Sequence, residues 1–225
     1  MTFEPHPKEF FSPEQAPPRI LNLRDKLAAL AELGIDRVMV EHFNAAFARL
    51  TPEEFVSEII VERLNTKWIL IGDDFCYGAK RAGNFASLKA AGEKYGFEVS
   101  SLQTIQENGE RISSSALRAA LASGDMQQAE KLLGRPYGIS GHVIHGQQLG
   151  RQLGFPTLNL AVANHLHHRK PATTGIFTAQ VLGLSDKPLP AVASLGVRPT
   201  VEDEGRVLLE THIFDYNADV YGKII

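Results

Sequence analysis

Apolar positions in the first 134 residues alternate between helical spacing and short continuous runs. Helical spacing predicts helices that begin at capping residues such as Asn22 and Thr51 and end at glycines such as Gly34 and Gly96. The predicted helices cover residues 22–34, 51–64, 85–95, 114–122 and 126–133. Continuous apolar runs between them predict strands over residues 37–40, 68–71 and 97–102. This alternation is typical of an α/β domain.

Strands that are apolar throughout indicate a parallel sheet covered by helices on both faces. Sheets of this kind bind ligands beyond the carboxyl ends of their strands. The loop 72–78, of sequence Gly-Asp-Asp-Phe-Cys-Tyr-Gly, leaves the strand predicted at 68–71 at such an end. The loop is therefore a candidate for ligand binding by its position alone.

The pattern changes after Gly134, where helical spacing stops and short β-type runs are separated by glycine and proline. The runs cover residues 141–144, 175–181, 191–195 and 208–214. Short strands with frequent turn residues are typical of a small antiparallel barrel. We therefore predict two domains, an α/β domain over residues 1–134 and an all-β domain over residues 135–225.

Composition excludes several classes of protein. The net charge of −3 lacks the basic excess of a general nucleic-acid binder. The single cysteine, Cys76, cannot form an internal disulfide, which fits a reducing cytoplasm. No apolar run approaches the roughly 20 residues of a membrane span, and the first residues lack the pattern of a signal peptide. We therefore expect a cytoplasmic protein with no nucleic-acid or membrane partner; its oligomeric state is not readable from the sequence.

The segment 146–159, of sequence Gly-Gln-Gln-Leu-Gly-Arg-Gln-Leu-Gly-Phe-Pro-Thr-Leu-Asn, carries the clearest chemistry. Its glycines, Gly146, Gly150 and Gly154, let the backbone approach a phosphate closely. Arg151 can contact phosphate oxygens, and Thr157 and Asn159 face the same way on a strand. Neutral oxygens of that kind suit Mg²⁺ that is also held by phosphates and water. A glycine-rich hairpin followed by a polar strand is the alternative interpretation.

A second candidate lies at the start of the helix predicted at 114–122. Ser114 and Ser115 occupy its first turn, and Arg111 and Arg118 flank it. Free N–H groups and the helix dipole make such an N-terminus suitable for an anion. The alternative is a serine cap with surface arginines.

The segment 146–159 resembles the signature of riboflavin kinases, roughly Gly-x-x-x-Gly-Arg-x-Leu-Gly-Phe-Pro-Thr-x-Asn. Three later stretches resemble landmarks of the same family in the same order: 174–177, 195–200, and 209–215 with 219–222. The segment 111–118 resembles the Ile-Ser-Ser-Thr-x-x-Arg motif of nucleotidylyltransferases. The stretches 3–7 and 72–78, the latter with Gly83 and Asn84, resemble segments of bacterial bifunctional riboflavin kinase/FAD synthetases.

The resemblance implies a Rossmann-like nucleotidylyltransferase domain followed by a riboflavin kinase barrel, with ATP, riboflavin and FMN as ligands. It implies that Thr157 and Asn159 hold Mg²⁺ and the ATP phosphates and that Glu210 is the general base. The phosphate-binding residues would be Gly146, Gly150, Arg151 and Gly154, with Arg111, Ser114, Ser115 and Arg118 in the first domain. Gly72, Asp74 and Phe75 would bind flavin or nucleotide there.

The sequence departs from the family in lacking the His-x-Gly-His motif that binds ATP phosphates in the adenylylating domain. We expect the first strand and helix of that domain, and the carboxyl end of the barrel, to be missing. This chain would then not make FAD at a useful rate, and the alternatives are a non-catalytic flavin- or nucleotide-binding fragment and a nucleotidylyltransferase for another substrate. His165, His167 and His168 fit a solvated loop better than a metal site, and no metal is assigned to any histidine.

Overall fold

The computed structural model describes residues 1–72, 74–103, 105–107, 110–146, 150, 154–161, 171–197 and 207–225. The helices in these ranges are α1 (Pro7–Phe11), α2 (Leu23–Glu32), α3 (Ala45–Ala48), α4 (Pro52–Glu54), α5 (Phe85–Tyr95), α6 (Ser114–Ser123) and α7 (Met126–Leu133). The strands are β1 (Thr2–Glu4), β2 (Val40–His42), β3 (Trp68–Gly72), β4 (Glu98–Leu102), β5 (Gln106–Glu107), β6 (Glu110–Arg111), β7 (Val143–Ile144), β8 (Leu158–Ala161), β9 (Gly175–Val181), β10 (Leu189–Val197) and β11 (Val207–Ile213). Both lists hold for the described residues only.

Contacts divide the chain into two compact units. The first unit holds residues 1–15 and 39–112, and the second holds residues 16–38 and 113–225. This division differs from the predicted one at Gly134, because α2, α6 and α7 are grouped with strands β7–β11.

Parallel pairs of strands and a helical layer form the first unit. β1 pairs with β2, and β3 pairs with β4, both in parallel. α4 continues directly into a π-helix over Phe55–Arg63, whose buried face packs on α5 and β3. Apolar side chains close the core, with Phe55, Ile59, Leu88 and Phe97 among the most deeply buried. The parallel direction of these strands agrees with the sequence prediction.

Two expectations for this unit are corrected. The strand predicted at 37–40 lies at Val40–His42 instead, where its backbone pairs with β1. The strand β3 was predicted to be buried throughout, yet Trp68 is 54% exposed and Leu70 is 44% exposed. Only one face of β3 meets the core, through Ile71, and Trp68 instead donates a hydrogen bond to Ser100 across to β4.

An antiparallel sheet forms the larger part of the second unit, in the strand order β7-β8-β11-β10-β9. One face of the sheet carries its apolar core, which includes Val143, Leu160, Val181 and Ile213. α6 and α7 form a second apolar cluster in this unit, through Leu117, Leu121 and Ala129 together with Ala172, which precedes β9. The antiparallel strands predicted after Gly134 are therefore present, with ends shifted by up to two residues.

No helix among the described residues combines the length and the apolar character needed to cross a lipid bilayer.

Candidate active site

Two predicted site residues lie directly opposite each other on neighbouring strands. In the antiparallel pair of β8 and β11, the Cα partner of Glu210 is Asn159, and the next partner on β10 is Ser194. Opposite residues of an antiparallel pair point to the same face, with Cβ atoms about 4.5–5.5 Å apart. The carboxylate and the amide therefore share one face of the sheet.

This face is opposite to the apolar core. Side chains alternate along β11, so that Thr211 and Ile213 are buried on the core face while Glu210 and His212 point away from it and are half-buried. Asn159 follows the same alternation on β8, between the buried Leu158 and Leu160. The polar groups are thus placed by the pleat of the strands, whereas the core fixes the register that brings them together.

Asn159 is the unusual member of this face. The residue is only 5% exposed, and its Oδ1 atom has no hydrogen-bond partner among the described residues. A buried polar oxygen without a partner costs about 1–3 kcal/mol. Such a cost indicates that the oxygen serves a ligand, and an amide oxygen is a ligand that Mg²⁺ accepts.

Glycines allow close packing around the two predicted metal ligands. A Cβ atom at Gly146 would overlap the Asn159 amide, and a Cβ atom at Gly150 would overlap the Phe155 carbonyl oxygen. That Cβ atom would also lie 3.5 Å from the Thr157 Oγ1. Gly146 and Gly150 therefore have a steric reason for lacking a side chain.

A short turn joins the glycine segment to the strand. The Phe155 N–H donates to the Gly150 carbonyl at 2.8 Å, and Gly154 has a positive φ of 83° inside this turn. Arg151 lies outside the described residues, as do His165, His167 and His168, so their predicted roles stay predictions.

His212, which the sequence analysis did not single out, contacts the same segment. Its Nδ1 atom lies 2.8 Å from the Pro156 carbonyl oxygen. Its ring meets the rings of Phe155 and Phe214 edge-on, at centroid distances of 5.7 and 5.6 Å. Its place two residues after Glu210 puts it on the same face of β11, but that spacing alone does not indicate a contact with Pro156.

Thr157 also lines a cleft in the second unit. Its lining includes Pro156, Thr157, Thr211, Tyr216, Asp219 and Tyr221, but neither Asn159 nor Glu210. Thr157 is therefore shared by the cleft and by the face that carries Asn159. At the rim, the ring of His145 stacks on Tyr221 with a centroid distance of 3.8 Å.

The helix N-terminus predicted to bind an anion is present in the second unit. Ser113 caps α6 by accepting a hydrogen bond from the Ala116 N–H, so Ser114 and Ser115 form the first turn. Arg118 donates to the carbonyl oxygens of Pro18 and Ser114, and burial lowers the pKa of its guanidinium. Arg118 is thus engaged with backbone oxygens, which the sequence could not indicate.

Arg111 and the loop after β3 belong to the first unit. Arg111 ends β6, where it pairs with Gln106 and is exposed. The Phe75 N–H donates to the Gly72 carbonyl in a tight turn, and the Phe75 ring stacks on Tyr77 against the apolar core. Asp74 is exposed on the same turn. Phe75 therefore packs inward, while Asp74 is the exposed residue among the described part of this loop.

In the parts of the chain that the structure describes, no three His, Cys, Asp or Glu residues cluster as a metal site.

Two protein families match this chain. Residues 1–116 match the family model of FAD synthetase, and residues 133–225 match that of riboflavin kinase. The segment 16–38 thus falls in the first family match, although its contacts group it with the second unit.

Curated relatives combine both activities in their names. Proteins named bifunctional riboflavin kinase/FMN adenylyltransferase are 47% identical in Escherichia coli strain K12 and 41% identical in Haemophilus influenzae, over 225 residues each. Both alignments cover 100% of this chain, and they cover 70% and 71% of the relatives. The relative from Pseudomonas fluorescens is 43% identical over 221 residues, covering 98% of this chain and 69% of its own length.

A solved structure shares the fold. It is described as a macrolide-efflux protein from Streptococcus pneumoniae, with a TM-score of 0.71 and 30% sequence identity. The match covers 91% of this chain and 64% of that protein, so this chain spans less than two thirds of its length. These matches do not favour the alternatives of a non-catalytic fragment or a nucleotidylyltransferase for another substrate. The chain belongs to the bifunctional riboflavin kinase/FMN adenylyltransferase family, whose enzymes act in flavin cofactor biosynthesis.

Proposed function

We propose that this chain transfers the γ-phosphoryl group of ATP to the 5′-hydroxyl of riboflavin, which gives FMN and ADP. The observation that carries this proposal is the buried Asn159 oxygen, unpaired within the part of the chain that the structure describes, on the strand position directly opposite Glu210. The face thus offers an oxygen for a cation and, one strand away, a carboxylate for a hydroxyl proton. Phosphoryl transfer needs little more from a protein than this positioning and charge neutralisation.

Glu210 is proposed as the general base. Its carboxylate accepts the proton of the 5′-hydroxyl as that oxygen bonds to the γ-phosphorus and ADP leaves. The carboxylate is half-buried and lies on the polar face, where a substrate hydroxyl can reach it.

Thr157 and Asn159 are proposed to hold Mg²⁺ through the threonine hydroxyl and the amide oxygen. The fit rests on the orphaned Asn159 Oδ1 atom and on the glycines that leave room beside both side chains. Mg²⁺, when bound, supplies positive charge against the phosphate oxygens of ATP. Gly146, Gly150, Arg151 and Gly154 are proposed to border those phosphates.

Architecture and domain limits follow the family in this proposal. The first domain, over residues 1–134, would be Rossmann-like. The sheet of the second unit would close into a small barrel in the second domain, over residues 135–225. Antiparallel pairing in β7–β11 and parallel pairing of β3 with β4 support these assignments. A cytoplasmic location is also proposed, from the single cysteine.

In the first domain we assign nucleotide binding to the turn and the helix start already described. Gly72, Asp74 and Phe75 would contact flavin or nucleotide, and Arg111, Ser114, Ser115 and Arg118 would contact phosphate. These residues would bind the ligands of the FMN adenylylation that the relatives' names include, a reaction that we expect to be slow in this chain because it lacks the His-x-Gly-His motif. The support is the capped N-terminus of α6 and the exposed Asp74.

Replacing Glu210→Gln tests the proposed base. FMN formation from riboflavin and Mg-ATP should fall by roughly 10²- to 10⁴-fold, because the amide cannot accept the proton. Glu98→Gln, an exposed carboxylate on β4, removes the same charge and should leave the rate unchanged. Full activity in Glu210→Gln would refute the base assignment, and the absence of FMN from the unaltered chain would refute kinase activity.

A further inference from the structure

His212 links the strand that carries Glu210 to the segment that carries Thr157. The Pro156 carbonyl oxygen, 2.8 Å from His212 Nδ1, can only accept a hydrogen bond. The proton of the neutral ring must therefore lie on Nδ1, which leaves Nε2 without one. The geometry thus fixes both the donor and the tautomer.

This contact lies where backbone pairing ends. The ladder between β8 and β11 stops at the pair Leu158–Thr211, so Pro156 and Thr157 lie just beyond it. A residue outside a ladder is not fixed in place by the strand's own hydrogen bonds. The His212 side chain supplies a bond to β11 at this position, one peptide unit before Thr157.

Aromatic neighbours hold the ring of His212 in this orientation. Phe155 and Phe214 contact it edge-on, with interplanar angles of 78° and 82°. Both phenylalanines are largely exposed, at 64% and 46%, so they act as local supports rather than as core residues. Phe155 also bonds to the Gly150 carbonyl, which extends the same support to the glycine turn.

We propose that His212 is a positioning residue for the metal–phosphate group. Its Nδ1–H bond to Pro156 sets the Thr157 hydroxyl, just beyond the end of β8, at a fixed place relative to Glu210 on β11. This inference rests on the proposed kinase function. It concerns the Mg-ATP side of the reaction and predicts no direct contact of His212 with riboflavin.

Substitutions separate positioning from a general structural role. His212→Ala should raise the KM for Mg-ATP and the half-saturating Mg²⁺ concentration by about tenfold, the worth of one hydrogen bond. The dissociation constant of riboflavin, measured by its fluorescence, should change by less than about twofold in the same variant. His212→Asn keeps an N–H donor close to the position of Nδ1 and should restore most of the Mg-ATP affinity.

His142 offers a matched control. Its Nδ1 atom also contacts a backbone carbonyl oxygen, that of Gly222 at 3.2 Å, in the same unit. His142→Ala should leave both the KM for Mg-ATP and the Mg²⁺ requirement unchanged. An equal effect of the two alanine variants, or an unchanged KM in His212→Ala, would overturn the proposal.

Nitrogen-15 NMR of the imidazole tests the hydrogen bond between His212 and Pro156 without an activity assay. The Nδ1–H tautomer of His212 is expected, and an Nε2–H tautomer would contradict the proposed hydrogen bond to Pro156. If the unaltered chain forms no FMN, the proposed function fails. The positioning role of His212 is then tested by this tautomer and by whether His212→Ala weakens binding of Mg-ADP.

Discussion

At the scale of single residues, Asn159 shows how a strand can hold a polar group that the fold itself does not need. Its neighbours Leu158 and Leu160 bury the strand, and Gly146 packs against its amide. Its Oδ1 atom nevertheless accepts no hydrogen bond from any residue in the described ranges. Burying this oxygen without a hydrogen bond costs free energy, which is expected where a site is preorganised for a ligand.

Replacing Asn159→Leu should separate stability from function. Leucine has the same number and branching of side-chain heavy atoms and no polar atom, so the free energy of unfolding without ligands should be unchanged or higher by about 1 kcal/mol. FMN formation should fall by at least about 100-fold, since a ligand of the metal–phosphate group is lost. Urea denaturation and an FMN assay measure the two effects, and a variant that is strongly destabilised while still active would contradict this view.

The sequence predicted Thr157, Asn159 and Glu210 as one site because each lies in a motif of the riboflavin kinase resemblance. The register Asn159–Glu210 agrees with that grouping, although their roles remain predictions. His212 was missed because its partner, Pro156, is 56 residues away, and a side chain that bonds to a distant backbone oxygen leaves no local pattern. The hydrogen bonds from Arg118 to the carbonyl oxygens of Pro18 and Ser114 were likewise not predicted from the sequence.

At the scale of elements, helix starts were predicted most accurately. Thr51 caps α4 as predicted, with a reciprocal pair of bonds: Glu54 N–H donates to Thr51 Oγ1, and Thr51 N–H donates to Glu54 Oε2. The side chains of Asn22 and Asp125 cap α2 and α7 by accepting from the backbone N–H groups of Asp25 and Gln128, without a reciprocal bond. Caps are local in sequence, so residue types a few positions apart determine them.

Strand positions were predicted less well, because pairing partners decide them. The apolar run at 37–40 fits a strand, yet the ladder with β1 places pairing at Val40–His42. The run at 68–71 gave no sign that Trp68 and Leu70 would be exposed. The π-helical form of Phe55–Arg63 was also not foreseen, since apolar spacing does not distinguish it from an α-helix.

Replacing Thr51→Ala should destabilise the first unit by about 1 kcal/mol, because the Glu54 N–H loses its acceptor. Bonds from the Thr51 backbone N–H and, secondly, from its hydroxyl lower the pKa of the Glu54 carboxyl; the variant loses only the hydroxyl bond, so that pKa should move part of the way back toward its ordinary value. Thr51→Ser keeps the hydroxyl and should behave like the unaltered chain. Urea denaturation followed by the fluorescence of Trp68 measures the effect, and equal loss in both variants would exclude the cap as its cause.

At the scale of the whole molecule, long-range contacts group α2 with the second unit. The Asp25 carboxylate accepts hydrogen bonds from the backbone and the hydroxyl of Ser140, and Asn22 donates to the Ser140 carbonyl. These partners are 115 and 118 residues apart, so no pattern in the sequence could have paired them. The predicted division at Gly134 follows composition, whereas the compact units follow these contacts.

Tyr137 near this contact should make stability depend on alkaline pH. Burial, and secondly the charge of Asp25, raise the pKa of Tyr137 to about 12. Because the folded pKa exceeds the unfolded value of about 10, the folded chain holds a proton that the unfolded chain loses. This stabilisation is complete below about pH 10 and is lost as the pH rises toward 12.

Replacing Tyr137→Phe removes this titration. Between about pH 9 and about pH 11, the unaltered chain should lose about 1.4 kcal/mol more unfolding free energy than the variant. Urea denaturation at several pH values measures the difference. Parallel curves for the two proteins over that range would show that Tyr137 titrates at its ordinary pKa.

Replacing Asp25→Ala should loosen the second unit and spare the first. The variant loses the acceptor of the Ser140 N–H and hydroxyl, which costs about 1–3 kcal/mol. Hydrogen exchange, followed by mass spectrometry, should become faster in peptides from α2 and around Ser140, which are opened by that loss.

The first unit provides the comparison. Trp68, the single tryptophan of the chain, lies on β3 in the first unit, so its fluorescence should keep the same unfolding midpoint in urea. Asp36→Ala, an exposed carboxylate in the same segment 16–38, should change neither signal. A shift of the Trp68 midpoint as large as the change in the second unit would mean that the chain unfolds as one cooperative body, and that the grouping of α2 has no separate energetic meaning.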